Sequence, residues 1–243
     1  MRVSGVTISF LDIPAGTDAA FAQWCDHDHV PEIVSLPAVA AGRRYFASPD
    51  LLARRASQGH VLDGGKGRYC STYLLSGDLD VARAQIAERA KALIAAGRTF
   101  PGREVVFSKM YRLTGVYKSS RVEVGDEAVP YLGHQGIQVA FGEVTNPANA
   151  RTATAWWDEF HYPDMLSVPG WLAALKFEPV GEEGLGKFMH LFLLDRPPEE
   201  AHVELQKVVQ GWRRAGRSPS PNGIYRRSIA APFALVTPNG TAR

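Results

Sequence analysis

A stretch of 22 residues occurs twice in this chain without a gap. Trp24–Tyr45 reads WCDHDHVPEIVSLPAVAAGRRY, and Trp156–Phe177 reads WWDEFHYPDMLSVPGWLAALKF, 132 positions later. Seven pairs are identical: Trp24/Trp156, Asp26/Asp158, His29/His161, Pro31/Pro163, Ser35/Ser167, Pro37/Pro169 and Ala41/Ala173. Glu32/Asp164, Arg44/Lys176 and Tyr45/Phe177 are conservative. Upstream, Gly5–Phe10 matches Gly136–Phe141 at a shift of 131. Downstream, Leu74-Leu75 matches Leu193-Leu194 and Ala96-Gly97-Arg98 matches Ala215-Gly216-Arg217, both at 119. Tyr111-Arg112 matches Tyr225-Arg226 at 114. The shift falls by 13 between Tyr45 and Leu74, so the first half carries about 13 extra residues there. Self-similarity at a fixed period implies that one structural unit is built twice.

The totals agree. The 243 residues accommodate two units of about 110–120, set at residues 1–118, with an insertion at 48–68, and 131–230. A hydrophobic content of 45% supplies a core, and 27 basic against 25 acidic residues is too balanced for a nucleic-acid or membrane-surface protein. Two cysteines read as reduced thiols, and no apolar run approaches membrane-spanning length. The expectation is a soluble cytoplasmic protein with a small-molecule partner, no nucleic-acid or membrane partner, and a homodimer left open.

Alternating Val6, Ile8 and Phe10 predict a strand over 3–12. A helix follows to about Asp28, with Phe21, Trp24 and Cys25 on its buried face and Asp26 turned towards solvent. Pro31 is expected to interrupt it. Strands at 39–47, 69–75 and 105–113 and a helix from Asp78 to Gly97 complete β-α-β-β-α-β, the ferredoxin-like order. The polar, glycine-rich 48–68 reads as a loop or lid. The second half repeats the order, with strands near 134–142, 171–179, 187–194 and 222–229, helices near 149–161 and 199–215, and a tail from Ala231.

Two such units, each with W-x-D-x-x-H-x-P-[ED]-x5-P after its first strand, resemble the dimeric α/β-barrel superfamily, and within it the EthD-like branch. The resemblance covers nearly the whole chain. It implies an α+β fold in which two four-stranded sheets pair into a barrel. Relatives include cofactor-free monooxygenases, cyclases, isomerases, decarboxylases, dehydratases and haem enzymes, so it names no activity.

The candidate catalytic residues are His29 and His161, because imidazole works as acid or base near neutrality without a cofactor. Asp26 and Asp158, three residues earlier, would share a helix side with them and orient the ring or raise its pKa. The bland alternative is a histidine capping a helix C-terminus. His190, in a strand and matched by Ser71, is a further acid/base candidate. Tyr45, Tyr69 and Tyr73 could donate to a substrate oxygen, and Trp24 and Trp156 could line its pocket. His134 and His60 are weaker candidates. No metal-ligand cluster, dinucleotide fingerprint, P-loop or nucleophile elbow occurs.

The sequence therefore favours a cofactor-independent enzyme of the lyase, isomerase or cyclase type on a small apolar cyclic or aromatic metabolite. His29 is preferred as base because its half bears the insertion. The alternatives are a cofactor-free monooxygenase of a phenolic or polyketide substrate and a non-catalytic ligand-binding protein.

Overall fold

A computed structural model describes residues 2–57, 59–181, 186–217 and 223–236. The first half runs β1 (Val3–Asp12), α1 (Asp18–Trp24), α2 (Val30–Val34) and β2 (Val39–Phe46), then a short α3 (Pro49–Ala53) and β3 (Ala56–Ser57). It ends with β4 (Tyr69–Ser76), α4 (Leu79–Ala95) and β5 (Glu104–Lys118). The second runs β6 (Gly136–Val144), α5 (Ala150–Trp156), α6 (Tyr162–Ser167), β7 (Trp171–Pro179), β8 (Lys187–Leu194), α7 (Pro198–Arg214) and β9 (Tyr225–Val236). The fold is α+β.

The strands follow the order β2-β4-β1-β5-β7-β8-β6-β9, and β2 also pairs with β9. That last pairing, Arg44–Phe46 on Ala234–Val236, closes the sheet into a barrel within one chain. Closure removes the exposed edges that an open sheet would leave. The two seams are equivalent: each joins the fourth strand of one half to the second strand of the other, antiparallel both times. These seams extend the fourth strands beyond expectation. β5 runs to Lys118 because residues from Tyr111 onward pair with β7, and β9 runs to Val236 where a tail was expected from Ala231.

Period-2 alternation sorts the side chains onto two faces. Val6, Ile8, Phe10, Ile137, Val139 and Phe141 point into the barrel and share one core with Met189, Leu191, Leu193, Ile229 and Phe233. Intervening residues face the helices, where Trp157, Phe188 and Phe192 form a separate core under α5 and α6. The repeated glycines have a repeated cause. A Cβ on Gly5 would stand 2.4 Å from the Tyr111 carbonyl, and one on Gly136 2.6 Å from the Phe233 carbonyl.

The insertion is not the polar lid expected. Leu51 and Leu62 are fully buried in the barrel core, Arg55 lies 4.9 Å over the Phe233 ring, and β3 adds to β9. Two leucines withdrawn from water stabilise the fold by about 1.5–3 kcal/mol each. The insertion thus plugs one barrel end.

Candidate functional site

The repeated motif folds identically in both halves, and not as an α-helix with a break. Cys25–His29 and Trp157–His161 are π-helical turns between two α-helical segments. Val30 N–H donates to the Cys25 carbonyl, and Tyr162 N–H to the Trp157 carbonyl. Pro31 and Pro163 follow directly. A proline lacks an N–H and clashes with the carbonyl four residues back, and a wider turn just before it relieves both problems. The helix therefore continues through the proline. Such turns often mark functional sites.

The wider turn also changes which side chains align. Residues five apart now lie one above the other. Trp24 stacks on His29 with centroids 4.7 Å apart and planes at 13°, and Trp156 on His161 at 5.6 Å and 20°. The expected three-residue Asp–His alignment does not form. Asp26 is not turned to water but forms a buried ion pair with Arg44 on β2. Asp158 instead accepts from the Tyr117 hydroxyl at 2.6 Å. Neither raises a histidine pKa: burial, aided by Arg103 and Arg227 respectively, pushes both His29 and His161 down to about 4.

The acidic position of the motif is structural. Arg98 donates to Glu32 at 2.7 Å and to Asp28 at 2.8 Å, and Arg217 clasps Asp164 in the same way. Each arginine follows a helix-ending glycine, Gly97 or Gly216, with φ of 68° and 70°. Arg98 N–H reaches the Leu93 carbonyl and Arg217 N–H the Trp212 carbonyl, closing both helices as Schellman turns.

The halves differ on the helix-facing side of the sheet. In the first, Arg44 lies across from Ser71 and Ser71 from Ser9, and the Arg44 charge is met by Asp26. In the second, the same row reads Lys176, His190 and Ala140. Lys176 is only 6% exposed. Its ammonium reaches Thr154 Oγ1 at 3.3 Å and lies 5.2 Å from the Trp157 ring, and no carboxylate among the described residues pairs with it. Buried charges are normally paired.

His190 stands beside it in an aromatic nest. Its ring is 4.6 Å from Phe188, 4.9 Å from Trp157, 5.2 Å from Tyr162 and 5.8 Å from His161. His190 Nε2 and the Tyr162 hydroxyl are both buried without a hydrogen-bond partner among the described residues. Burial first, then the His161 and Lys176 charges, holds His190 well below the ordinary histidine value. A buried cation with no paired carboxylate, a free acceptor and a free hydroxyl are gathered here, a set of groups whose chemistry suits an anionic oxygen.

The other candidates are dispersed. Tyr45 is bonded to His134 Nε2 at 2.9 Å inside the barrel, and Tyr69 donates to Asp18. Tyr73 is buried beside His29, its hydroxyl and Trp24 Nε1 unpartnered. His60 stacks on Phe141 at 5.2 Å. Sequence reasoning missed Tyr162 and Lys176 as site residues. The available signal was the exchange of Arg44 for Lys176 while the motif aspartate stayed.

No protein-family model and no curated protein sequence matches the chain. Solved structures do. A dye-decolorizing peroxidase from Bacteroides thetaiotaomicron superposes with a TM-score of 0.61 at 8% identity, covering 97% of this chain and 93% of that one. The chain has the dimeric α/β-barrel fold. A dye-decolorizing protein from V. cholerae gives 0.59 at 9% identity (96% and 94% covered), and an anthrone oxidase-like protein 0.54 at 12% (96% and 92%). A peroxidase and an anthrone oxidase-like protein among these neighbours point to oxidative catalysis, which corrects the expected cofactor-independent lyase, isomerase or cyclase chemistry.

A further neighbour, DypB of Rhodococcus jostii (TM-score 0.58, 8% identity, 97% and 94% covered), was solved in complex with heme. The described residues offer that group no histidine, cysteine or methionine ligand at a cleft large enough to hold it. A cleft of about 1140 Å³ near Arg2, Arg112 and Tyr131 is roomy, but no histidine, cysteine or methionine lines it among the described residues. The buried His161 and His190 have aromatic rings against them where a macrocycle would have to lie. His60 opens on a cleft of about 210 Å³, smaller than the roughly 300–1,000 Å³ that drug-sized ligands occupy.

Proposed function

We propose that this protein is an oxygenase that oxidises a small electron-rich phenolic compound with molecular oxygen, the substrate itself supplying the electrons. One observation carries this reading: Lys176, a buried cation that pairs with no carboxylate among the described residues, stands beside His190 and Tyr162, whose Nε2 and hydroxyl find no hydrogen-bond partner among them either. Neutral His190 accepts the phenolic proton. That transfer is uphill for so weak a base, and the Lys176 ammonium and Tyr162 hydroxyl offset it by holding the phenolate oxygen. The phenolate passes one electron to O2, the radical pair joins at a ring carbon, and the hydroperoxide loses water. Anthrone, for example, exchanges two hydrogens at one carbon for one oxygen atom, and the other oxygen leaves as water. The nest around the histidine keeps bulk water from the intermediate.

The test is oxygen uptake by the purified chain with anthrone, read against anthraquinone formation. Uptake is expected without added haem or metal, to stop under argon, and to fall at least 100-fold in Lys176→Met and His190→Gln. Quinone formed at the wild-type rate by both variants would overturn the proposal. The reading moves the site from the first half, where Asp26 meets the cation, to the second.

The same reading includes a tandem duplication of one ferredoxin-like unit, at residues 1–118 and 131–230, nearest the EthD-like branch. The matched π turns, Gly5/Gly136 and the Arg98/Arg217 clasps support it. A second copy is not needed to close the barrel, so a homodimer would use another surface. The free, buried Cys25 and Cys70 support a cytoplasmic location, and among the described residues no helix is long and apolar enough to cross a membrane.

A further inference from the structure

The geometry points to a second binding site, at the plugged end of the barrel, for a small aromatic carboxylate. The cleft of about 210 Å³ lies among the ends of β5, β6, β8 and β9, beneath the insertion. Its volume is below that of drug-sized sites and admits about one ring. Phe107 and Phe141 form its apolar floor, 5.5 Å apart and tilted at 63°. His60 closes it from the insertion, its ring stacked on Phe141, and burial lowers its pKa so that the imidazole adds no charge near neutrality. A flat apolar body suits these walls.

The polar groups select an anion. Lys109, Lys187 and Arg226 line the cleft against one carboxylate, Glu143. Arg226 bonds Glu143 at 2.5 Å, which leaves both ammonium groups without a carboxylate among the described residues. Tyr111 is only 3% exposed and lines the cleft, and its hydroxyl has no hydrogen-bond partner among the described residues. Two cations and a hydroxyl around an aromatic floor match the carboxylate and ring of a benzoate-like molecule. Phe188 walls this cleft off from His190. The site therefore stands apart from the proposed phenolate site and does not depend on it.

Titration of the full chain with 4-fluorobenzoate, followed by fluorine NMR, tests this. Saturable one-to-one binding is expected, with 4-fluorobenzamide at least tenfold weaker because it lacks the charge. Tyr111→Phe and Lys109→Met should each weaken the benzoate at least fivefold while retaining the wild-type melting temperature, and His190→Gln should leave it unchanged. Equal binding of the benzamide, full affinity in both cleft variants, or loss of binding in His190→Gln would each overturn the assignment.

Discussion

Replacing Lys176 by methionine should make the protein more stable and less active. Burying an ammonium costs several kcal/mol even after relaxation. The structure returns little of that. The 3.3 Å contact to Thr154 is long for a charged hydrogen bond, and the Trp157 ring, 5.2 Å away, contributes about 0.5–2 kcal/mol. Methionine is unbranched and of similar length, so it fills the space without the charge. The net gain is about 1–3 kcal/mol. At roughly 2–4 °C per kcal/mol for a chain of this size, the melting temperature rises by about 2–12 °C. Anthrone turnover falls at least 100-fold, the usual cost of one oxyanion donor. The control is Arg44→Met. It takes away the cation that Asp26 pairs with and should lower stability instead, by up to about 3–5 kcal/mol. Thermal unfolding and oxygen uptake measure both quantities. If Lys176→Met destabilises as Arg44→Met does and turnover survives, Lys176 is a paired structural cation and the reasoning fails.

Leu51→Ala and Leu62→Ala should each lower unfolding free energy in urea by about 2–5 kcal/mol, because both fill the barrel core; a loss below 0.5 kcal/mol would restore the solvated lid. His29 and His161 have folded-state values near 4 against an ordinary 6.5, so the neutral ring is the folded form. Their contribution to stability is complete above pH 6.5 and is lost as pH falls towards 4. Urea midpoints between those values should decline, and less steeply in a His29→Gln, His161→Gln double variant. His29→Gln alone should keep anthrone turnover within a few-fold, whereas His190→Gln loses about 10²-fold; equal losses would return the site to the first half.

Element order was legible because hydrophobic period and repeat agree. Val6, Ile8 and Phe10 announce a strand, and Gly5–Phe10 finds its counterpart at Gly136–Phe141. The lengths of β5 and β9 were not legible. Their last turns of pairing are made with the other half, and nothing local distinguishes a paired residue from a linker. The π turn was hidden for a different reason. Reading Asp26 and His29 at helical spacing assumes 3.6 residues per turn, and the proline that signals a break in fact follows a widened turn. The W-x4-H spacing, repeated in both halves, was the visible trace of five-residue alignment. In the insertion, glycine and charge concealed two leucines that anchor it.

In a chain built from two like units, each repeated residue can be judged by whether its partner repeats too. Glu32 and Asp164 recur, and so do the arginines that hold them, Arg98 and Arg217; that pair closes a helix in both halves and needs no catalytic explanation. Gly5 and Gly136 recur with the same carbonyl contact. The Asp26–Arg44 pair is different. Its aspartate and its cation both persist as Asp158 and Lys176, yet the contact between them is gone, and Asp158 has turned to Tyr117. Loss of the pair exposes the second cation to whatever else enters the nest. In the same strand row, Ser71 has become His190. Two changes that each raise the cost of the empty fold, in one cross-strand pair, are hard to retain for stability alone. The proposed phenolate would offset both costs at once: it would meet the Lys176 charge and accept from Tyr162, and its proton would go to His190.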